Sequence, residues 1–406
     1  MEPSETERGR RWLNNFLLAD QPSAKLLLDG LELLGQDQLR QGLSEVISGL
    51  AEALATPIAL VPVRELASGQ SYYPIGRESR PRLLLPNSFP GSEAIVANIL
   101  TGARRAEENA GPFVAAPSLR NMRAARCRTI MFVDDFCGSG DRVIRFAEGY
   151  SDHPTIQSWT SYHLIEFHVC AYVMTQAARR RLVRRFGEGR VHAYRICPTL
   201  ESQGWDAEDV QAVEKVCRQY VSPNNYIDPL GYRGTGGLLA LSHSVPNNLP
   251  PILWQTHRKG HPDWEPFFLG KAVPDDLLPL FGVSITDRQR EAALKRLGQM
   301  RLGQTDWGSM PSTAVKNMFL VLAAVAKCPR ERHVIAEITG LSVKEVNEGL
   351  GACLNHNLVD RTLHLTDAGR AELRHAKGVR LPEEEINLRG STTPYYPQSL
   401  RVGVDL

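Results

Sequence analysis

The chain has 406 residues, of which 42% are hydrophobic and 23% are charged, and its formal net charge is +2. A chain of this length is expected to form two or three domains, and this apolar fraction is sufficient for their cores. The balanced charge excludes a strongly basic nucleic-acid coat protein, although it is compatible with a local basic patch. No stretch approaches the roughly 18 apolar residues of a membrane span, so we expect no membrane partner. The seven cysteines form no Cys-x-x-Cys pair, and the N-terminus does not resemble a signal peptide, which together predict a reduced, cytoplasmic protein.

The first half of the chain has the periodicity of an α/β protein. Residues 1–56 are rich in Leu, Glu and Gln at helical spacing and are predicted to form two or three helices. Strand and helix patterns alternate over residues 57–222, which is typical of a parallel sheet flanked by helices. The predicted strands are Pro57–Glu65, Leu83–Pro86, Thr129–Val133, Ser158–Ala171 and Arg190–Ile196, and the predicted helices are Gly91–Arg105, Asp141–Gly149, Tyr172–Phe186 and Ala207–Tyr220.

The second half of the chain has a different composition. Residues 223–285 are dense in Pro, Gly and Asn but also contain Trp254 and Trp264, which favours an irregular, ordered extension packed on the sheet domain. Residues 286–311 contain a predicted linker helix, and residues 379–406 are predicted to be a flexible or partner-bound tail. Residues 312–378 are typical of a winged helix-turn-helix, with helices Val315–Ala326, Val334–Thr339, Val343–Asn357 and Asp367–Ala376 and a wing formed by Leu358–Asp360 and Leu363–Leu365.

Two adjacent carboxylates and a loop of small residues follow the predicted strand Thr129–Val133. Asp134 and Asp135 come directly after the strand, and the loop Gly138–Gly140 leads into a helix that begins at Asp141. Loop and helix N–H groups can bind a phosphate, while carboxylates can accept hydrogen bonds from ribose hydroxyls or hold a divalent metal. An ordinary turn of a parallel sheet is the alternative. The order of acid pair, loop and helix favours a ribose-phosphate site.

The segment from Val133 to Gly140 resembles the diphosphoribosyl-binding signature of type I phosphoribosyltransferases. In that family the acid pair contacts the ribose 2′ and 3′ hydroxyls, the loop wraps the 5′-phosphate, and Mg²⁺ binds with the pyrophosphate. The resemblance implies that Asp134 and Asp135 contact the ribose as candidate catalytic residues and are weaker candidates for holding the metal. The family's loop usually ends with threonine, where this chain has an arginine that could pair with the phosphate instead. The implied phosphate-binding residues are Gly138, Ser139, Gly140, Asp141 and Arg142.

Further segments resemble the phosphoribosyltransferase-like family with a C-terminal extension, PRTase-CE, over roughly residues 12–270. The resemblance implies a bacterial protein from the operons of antiviral conflict systems, with a partner protein from the same operon. We also expect a homo-oligomer. Arg64 falls where the family's pyrophosphate loop would lie and is a third candidate catalytic residue, although a solvated loop arginine is an equal alternative. The segments that carry the resemblance are Pro62–Glu65, Gly91–Glu93, Tyr226–Tyr232 and Pro246–Trp254.

Other polar residues are candidates for ligand contacts. Asn247 and Asn248 lie in a Pro-bounded turn, where asparagine serves either turn geometry or a ligand. Arg233 lies in a Gly-rich loop and could bind an anion. The predicted helix Tyr172–Phe186 carries five arginines, which form either a solvated face or a contact with a phosphate-rich partner. These are Arg179, Arg180, Arg181, Arg184 and Arg185.

A pair of histidines and the charge of one helix bear on metal binding and nucleic-acid binding. His163 and His168 are predicted on opposite faces of one strand because their spacing is odd, which argues against a metal site. The expected recognition helix of the winged domain carries only Lys344 against Glu345 and Glu348. Protein docking is therefore slightly favoured over DNA binding.

Two functions remain open at this stage. One is an enzyme-like effector that binds phosphoribosyl pyrophosphate or a related ribose phosphate or nucleotide with Mg²⁺ and acts at the C1′ bond, as a phosphoribosyltransferase or a nucleotide glycosidase. The other is a non-catalytic ribose-phosphate sensor whose winged helix binds nucleic acid or a partner protein. We prefer the effector because the extension adds structure beside the expected ligand cleft.

Overall fold

A computed structural model of the protein describes residues 2–66, 69–73, 92–105, 111–114, 118–222, 227–258, 261–282, 287–299, 302, 312–327 and 331–378. The chain divides into two compact units, one of residues 1–197 and 216–282 and one of residues 198–215 and 283–406. The predicted strand Leu83–Pro86 and the tail 379–406 lie outside the described residues. Within the described ranges, no helix is both long and apolar enough to cross a lipid bilayer.

The strands described in the first unit form two parallel sheets. They are β1 (Glu32–Leu34), β2 (Ile58–Pro62), β3 (Thr129–Cys137), β4 (Glu166–Met174), β5 (Val191–Ile196) and β6 (Leu239–Leu241). The larger sheet has the order β2-β3-β4-β5, and the smaller one pairs β1 with β6. β3 is almost entirely buried, as expected for a parallel strand that is covered on both faces.

The α-helices described between residues 7 and 220 are α1 (Glu7–Leu13), α2 (Gln21–Asp29), α3 (Gln36–Ala53), α4 (Ser92–Arg105), α5 (Leu119–Ala124), α6 (Asp141–Ser151), α7 (Pro154–Ser161), α8 (Gln176–Phe186) and α9 (Ala207–Tyr220). Among them, α3, α4, α6 and α8 pack against strands of the larger sheet. Met131 and Val133 of β3 pack in one core with α3, α4 and β6. Phe132 points to the opposite face, because side chains alternate along a strand, and there its ring contacts Phe146 and Tyr150 of α6. The α/β fold predicted from the sequence is confirmed.

The second unit contains the predicted winged helix-turn-helix. Its described helices are α10 (Asp287–Arg296), α11 (Thr313–Val325), α12 (Arg332–Thr339), α13 (Val343–Asn355) and α14 (Asp367–Gly378). Ser342 caps α13: its hydroxyl accepts from Glu345 N at 3.1 Å, and the Glu345 carboxylate accepts from Ser342 N at 2.8 Å. An antiparallel bridge between Val359 and Leu365 closes the wing.

The predicted strand Ser158–Ala171 is wrong in its first half. Residues 158–161 belong to α7, residues 162–165 form the loop that follows it, and β4 begins only at Glu166. Pro154 stands in the first turn of α7, and the His153 ring accepts a hydrogen bond from Thr155 N at 3.2 Å. These two start signals outweigh the β-branched and aromatic composition of the segment.

The boundaries of the neighbouring elements also differ from the prediction. His163 lies in the loop after α7 with a φ of 54°, so it does not share a strand with His168. β4 continues through Tyr172 to Met174, so α8 begins later than expected. β3 runs past Val133 to Cys137, and the acid pair therefore lies inside the strand rather than after it.

Candidate functional site

The acid pair lies near the carboxyl end of β3. Asp134 is 2% exposed and Asp135 is 3% exposed, which is unusual for carboxylates. Asp134 is aligned with Ala171 of β4, so ladder pairing on a central strand fixes the backbone here. The sequence therefore buries two carboxyl groups at the edge of a parallel sheet where ligands commonly bind.

The small-residue loop makes a tight turn from β3 into α6. Gly140 has a φ of 78°, a left-handed conformation that favours glycine, and it caps the helix. Ser139 Oγ donates to Asp141 Oδ2 at 3.0 Å and accepts from Asp141 N at 3.2 Å. Among the described residues, the N–H groups of Gly138 and Ser139 have no acceptor within the protein. These two main-chain donors are free for an anion at the start of a helix.

Arg142, in the first turn of α6, turns back onto the acid pair. Its Nη2 lies 2.5 Å from Asp134 Oδ1 and 3.4 Å from Asp135 Oδ1, and its side chain is 32% exposed. In this arrangement the guanidinium contacts the carboxylates of Asp134 and Asp135 and points away from the role of phosphate partner that was expected for it. Asp134 Oδ2 is buried and has no hydrogen-bond partner in the described part of the chain.

His243 completes the acid pair and was missed in the sequence analysis. Its Nε2 lies 2.9 Å from Asp135 Oδ2, and its Nδ1 is buried without a partner among the described groups. It lies in the turn directly after β6, which the small sheet brings beside β3. The available signal was a polar Ser-His-Ser turn after an apolar strand, the same pattern that marked the acid pair.

The two carboxyl groups differ in their affinity for protons. Burial raises the pKa of Asp134, and the neighbouring charge of Asp135 adds to this rise against the opposing effect of Arg142. Burial also acts on Asp135, but the hydrogen bond from His243 and the charge of Arg142 outweigh it and lower the pKa of that group. Asp135 is thus the ionised member at neutral pH, and Asp134 is the member that more readily takes up a proton.

A second charged cluster surrounds Asp141 at the other side of the loop. Arg181 Nη2 of α8 lies 2.6 Å from Asp141 Oδ1, and Arg233 Nη2 lies 3.0 Å from Asp141 Oδ2. Tyr232 OH lies 3.4 Å from the same oxygen. Arg233 adopts a φ of 59° in the Gly-rich turn. Two cations from separate segments, Arg181 and Arg233, therefore lie beside Asp141, directly after the loop Gly138–Gly140.

The extension also contacts the loop through Asn248. This side chain is 5% exposed and donates from Nδ2 to Thr235 Oγ1 at 2.8 Å. A Cβ placed on Gly138 would come within 2.0 Å of Asn248 Oδ1, so the asparagine packs directly on the loop. Asn247 is exposed and contributes its carbonyl, which accepts from Tyr232 N at 2.8 Å.

Arg64 is the predicted site residue that the structure does not bring to the acid pair. Its guanidinium lies 4.6 Å from the centre of the Tyr72 ring. Its Nε is buried and has no hydrogen-bond partner among the described residues, and none of their ion pairs links it to the corner of Asp134 and Asp135. Its assignment to a pyrophosphate loop stays a prediction.

The residues present offer limited capacity for magnesium. Within the described ranges no group of three or more His, Cys, Asp or Glu side chains could hold a metal. Asp134 Oδ2 is the carboxylate oxygen of the acid pair that has no partner among the groups the structure describes. One such oxygen fits Mg²⁺ that arrives with substrate phosphates and keeps several waters, and it does not fit a metal held by the protein alone.

A separate cavity of about 930 Å³ lies between α3 and α4. Gly35, Asn98, Ile99 and Phe281 are among its lining residues, and the acid pair and the glycine loop are not. Its lining brings together no comparable set of buried charges. We therefore identify the candidate site by chemistry, at the carboxyl end of β3, rather than by volume.

Two family models match the chain. One, PRTase-CE, covers residues 10–269, and the other, wHTH-PRTase associated, covers residues 319–402. No curated protein matches the chain, and no solved structure matches it either. The first model spans both the β3 loop and the extension that carries His243 and Asn248. Because it matches well over half of the 406 residues, the chain belongs to the PRTase-CE family, with a C-terminal winged-helix segment of the type associated with it.

Proposed function

We propose that the corner formed by Asp134, Asp135 and the loop Gly138–Gly140 binds a ribose 5-phosphate group and that the protein acts at its C1′ bond. The ligand would be phosphoribosyl pyrophosphate or a related nucleotide. The main support for the proposal is that several polar groups without hydrogen-bond partners among the described residues lie together. Within the described part of the chain, a buried carboxylate oxygen without a partner lies at the same corner as two main-chain N–H groups without acceptors.

The phosphate would bind to the N–H groups of Gly138 and Ser139 at the start of α6. Hydrogen bonds to a charged phosphate contribute about 1.5–3 kcal/mol each, so two or three of them dominate the affinity of a small ligand. Arg142 must then leave the acid pair, because its guanidinium engages the oxygens that ribose hydroxyls would use. Its partly exposed side chain can follow the phosphate, which offers a competing anionic partner.

Chemistry at C1′ would draw on the charge of the acid pair. When a base or pyrophosphate leaves C1′, positive charge develops on the sugar ring, and the ionised Asp135 can stabilise it electrostatically. His243 holds that carboxylate in place through its 2.9 Å contact. Magnesium carried in by a diphosphate would neutralise the charge of the leaving group, with Asp134 Oδ2 as its available protein oxygen.

A second candidate is a sensor that binds the same ligand without turnover. It is favoured by the finding that each carboxylate already has a cationic or imidazole partner, Arg142 or His243, so neither is free to act as a general base. In that case ligand binding would control the winged helix and its nucleic-acid or protein partner.

Isothermal titration calorimetry with phosphoribosyl pyrophosphate and Mg²⁺, and with ribose 5-phosphate alone, tests the binding proposal. We expect the double variant Asp134→Asn/Asp135→Asn to lose at least about tenfold in affinity. Arg145→Ala serves as the control, because this α6 arginine is exposed and lies 3.9 Å from Glu65. Equal affinities for the wild type and the double variant would overturn the proposal.

Turnover and DNA binding separate the two candidates. Release of pyrophosphate or free base by the wild type, abolished in the double variant, supports the effector. A ligand-dependent shift of DNA without any release supports the sensor.

We also propose a role in bacterial antiphage defence together with a partner encoded in the same operon. Plaque assays on cells that carry the operon should show loss of protection for the double variant but not for Arg145→Ala. Protection that survives the double variant would contradict this role.

A further inference from the structure

The helix α8 starts at the same edge of the sheet as the phosphate loop. Thr175 links the two: its hydroxyl donates to Gly138 O at 2.5 Å and accepts from Ala178 N at 3.0 Å. A Cβ on Gly140 would come within 3.3 Å of Leu182 Cγ, so the body of α8 also packs against the loop. The position of α8 relative to the loop is therefore fixed by both polar and apolar contacts.

The exposed face of α8 is a continuous cationic surface. No acidic residue occurs between Gln176 and Phe186. Arg181 lies beside the loop through its 2.6 Å contact with Asp141. Arg184 and Arg185 follow about one turn further along, some 4.5–6 Å of helix rise, and both are exposed.

These two arginines differ from Arg179 on the same helix. Arg179 pairs with Glu188, whereas Arg184 and Arg185 have no acidic partner among the described residues. An ordinary solvated helix face mixes both signs of charge, since pairs three or four residues apart stabilise it. An unmixed row of arginines that leads away from an anion site is typical of a surface that follows a phosphate chain.

An exposed aromatic ring stands on the other side of the loop. Tyr232 is 38% exposed, and its hydroxyl lies 3.4 Å from Asp141 Oδ2. The guanidinium of Arg233 lies 5.7 Å from the centre of that ring. Exposed aromatic rings and arginine planes beside a basic groove are the groups on which unpaired bases stack.

In the proposed site, the acid pair would contact a ribose with free 2′ and 3′ hydroxyls. The row of arginines on α8 would suit a 5′-phosphate that continues into further phosphates. The 3′-terminal nucleotide of RNA has this chemistry. A DNA end lacks the 2′-hydroxyl, and the 5′-terminal nucleotide of RNA has its 3′-oxygen esterified. We propose that the corner binds the 3′ end of single-stranded RNA, with the preceding phosphates on Arg181, Arg184 and Arg185. This inference rests on the proposed function, because it uses the same ribose-phosphate site.

Fluorescence anisotropy with a 5′-labelled RNA octamer tests the inference on the full chain. We expect binding to the octamer with a 3′-terminal diol, and at least about tenfold weaker binding when the terminal nucleotide is 2′-deoxy or carries a 3′-phosphate. The variant Arg184→Ala/Arg185→Ala should weaken RNA binding about tenfold and flatten its salt dependence. Both side chains are exposed, so the fold should be retained, and the affinity for ribose 5-phosphate should not change.

The matched control is Arg11→Ala/Arg40→Ala, which removes the same charge from exposed, ion-paired positions of α1 and α3. It should bind RNA as the wild type does. This inference would be overturned, and the proposed function would stand, if the protein bound ribose 5-phosphate but not RNA. The same holds if RNA binding did not depend on the 3′ terminus or was unchanged in Arg184→Ala/Arg185→Ala. Tight binding of free nucleoside triphosphates with none of the octamer would overturn it as well. If the proposed function itself is wrong, the wild type will not bind ribose 5-phosphate.

Discussion

Both ends of the larger sheet bury titratable side chains, but the two sets differ in how completely they are hydrogen-bonded. At the carboxyl end of β3, Asp134 retains a buried oxygen without a partner, and the adjoining loop has unused N–H groups among the described residues. At the amino ends of β4 and β5, the rings of His168 and His192 stack with centroids 5.4 Å apart, and His168 Nδ1 lies 3.1 Å from His192 Nε2. The carboxylate of Glu166 lies nearby and pairs with Arg190 at 3.0 Å.

The difference separates buried groups that are satisfied within the fold from buried groups that would be available to a ligand. Groups at the amino end satisfy one another, so their burial needs no further partner. Those at the carboxyl end contact Arg142 and His243 but are incomplete in hydrogen bonding among the described residues. A ligand that supplies a phosphate and hydroxyls would complete them. Variants at each end should therefore separate effects on binding from effects on stability.

The largest effect on stability is expected for Arg142→Ala. Removal of Arg142 takes the cation away from the ionised Asp135 and leaves Asp134 to take up a proton, so we expect a loss of about 3 kcal/mol in the free energy of unfolding. Urea denaturation at pH 7.5 measures it. Arg145→Ala, three residues further along α6, removes an exposed arginine and should change stability by less than about 1 kcal/mol.

Adding Asp134→Asn to Arg142→Ala should recover part of the loss, because it removes the charge that Arg142 neutralises. A double variant that is less stable than Arg142→Ala would show that the pair is not held together by charge. The comparison between the two ends of the sheet would then lose its electrostatic basis.

Gly138→Ala should have the next largest effect. The new methyl group would meet Asn248 Oδ1 at 2.0 Å, and this buried side chain has little room to move, so we expect a loss of about 2 kcal/mol. Thermal unfolding and ribose 5-phosphate titration would both report it. The matched control is Gly49→Ala in α3, where a Cβ meets nothing within 4 Å and should stabilise the helix by up to about 1 kcal/mol.

Local signals were sufficient to predict the loop and the winged domain. The order of acid pair, small residues and helix start depends on neighbours in sequence, and so does the capping of α13 by Ser342 and Glu345. The α/β class followed from the alternation of strand and helix patterns over residues 57–222. These features needed no knowledge of which distant segments meet.

Long-range partners could not be predicted in the same way. His243 lies 108 residues from Asp135, and only the pairing of β6 with β1 brings it to the acid pair. The direction taken by Arg142 depends on its contacts with the two buried carboxyl groups of Asp134 and Asp135. The strand prediction over Ser158–Ala171 relied on the β-branched and aromatic composition of the segment. The helix start signals at His153 and Pro154 decide the structure of its first residues instead.

The smallest effect is expected at the amino end, for His168→Gln. Burial lowers the pKa of His168 below its usual value near 6.5, so the unfolded chain binds more protons than the folded one as the pH falls through that value. The wild type should therefore lose stability from pH 7.5 to 5.5, and the variant should lose less. At pH 7.5 the free energy of unfolding of the variant should be about 1 kcal/mol lower because the contact with His192 is lost, and the ribose 5-phosphate affinity should not change.

His163→Asn is the control, because His163 is exposed and asparagine tolerates its positive φ. A change in ligand affinity in His168→Gln would mean that the two ends of the sheet are coupled, and the separation between structural and ligand-directed burial would fail.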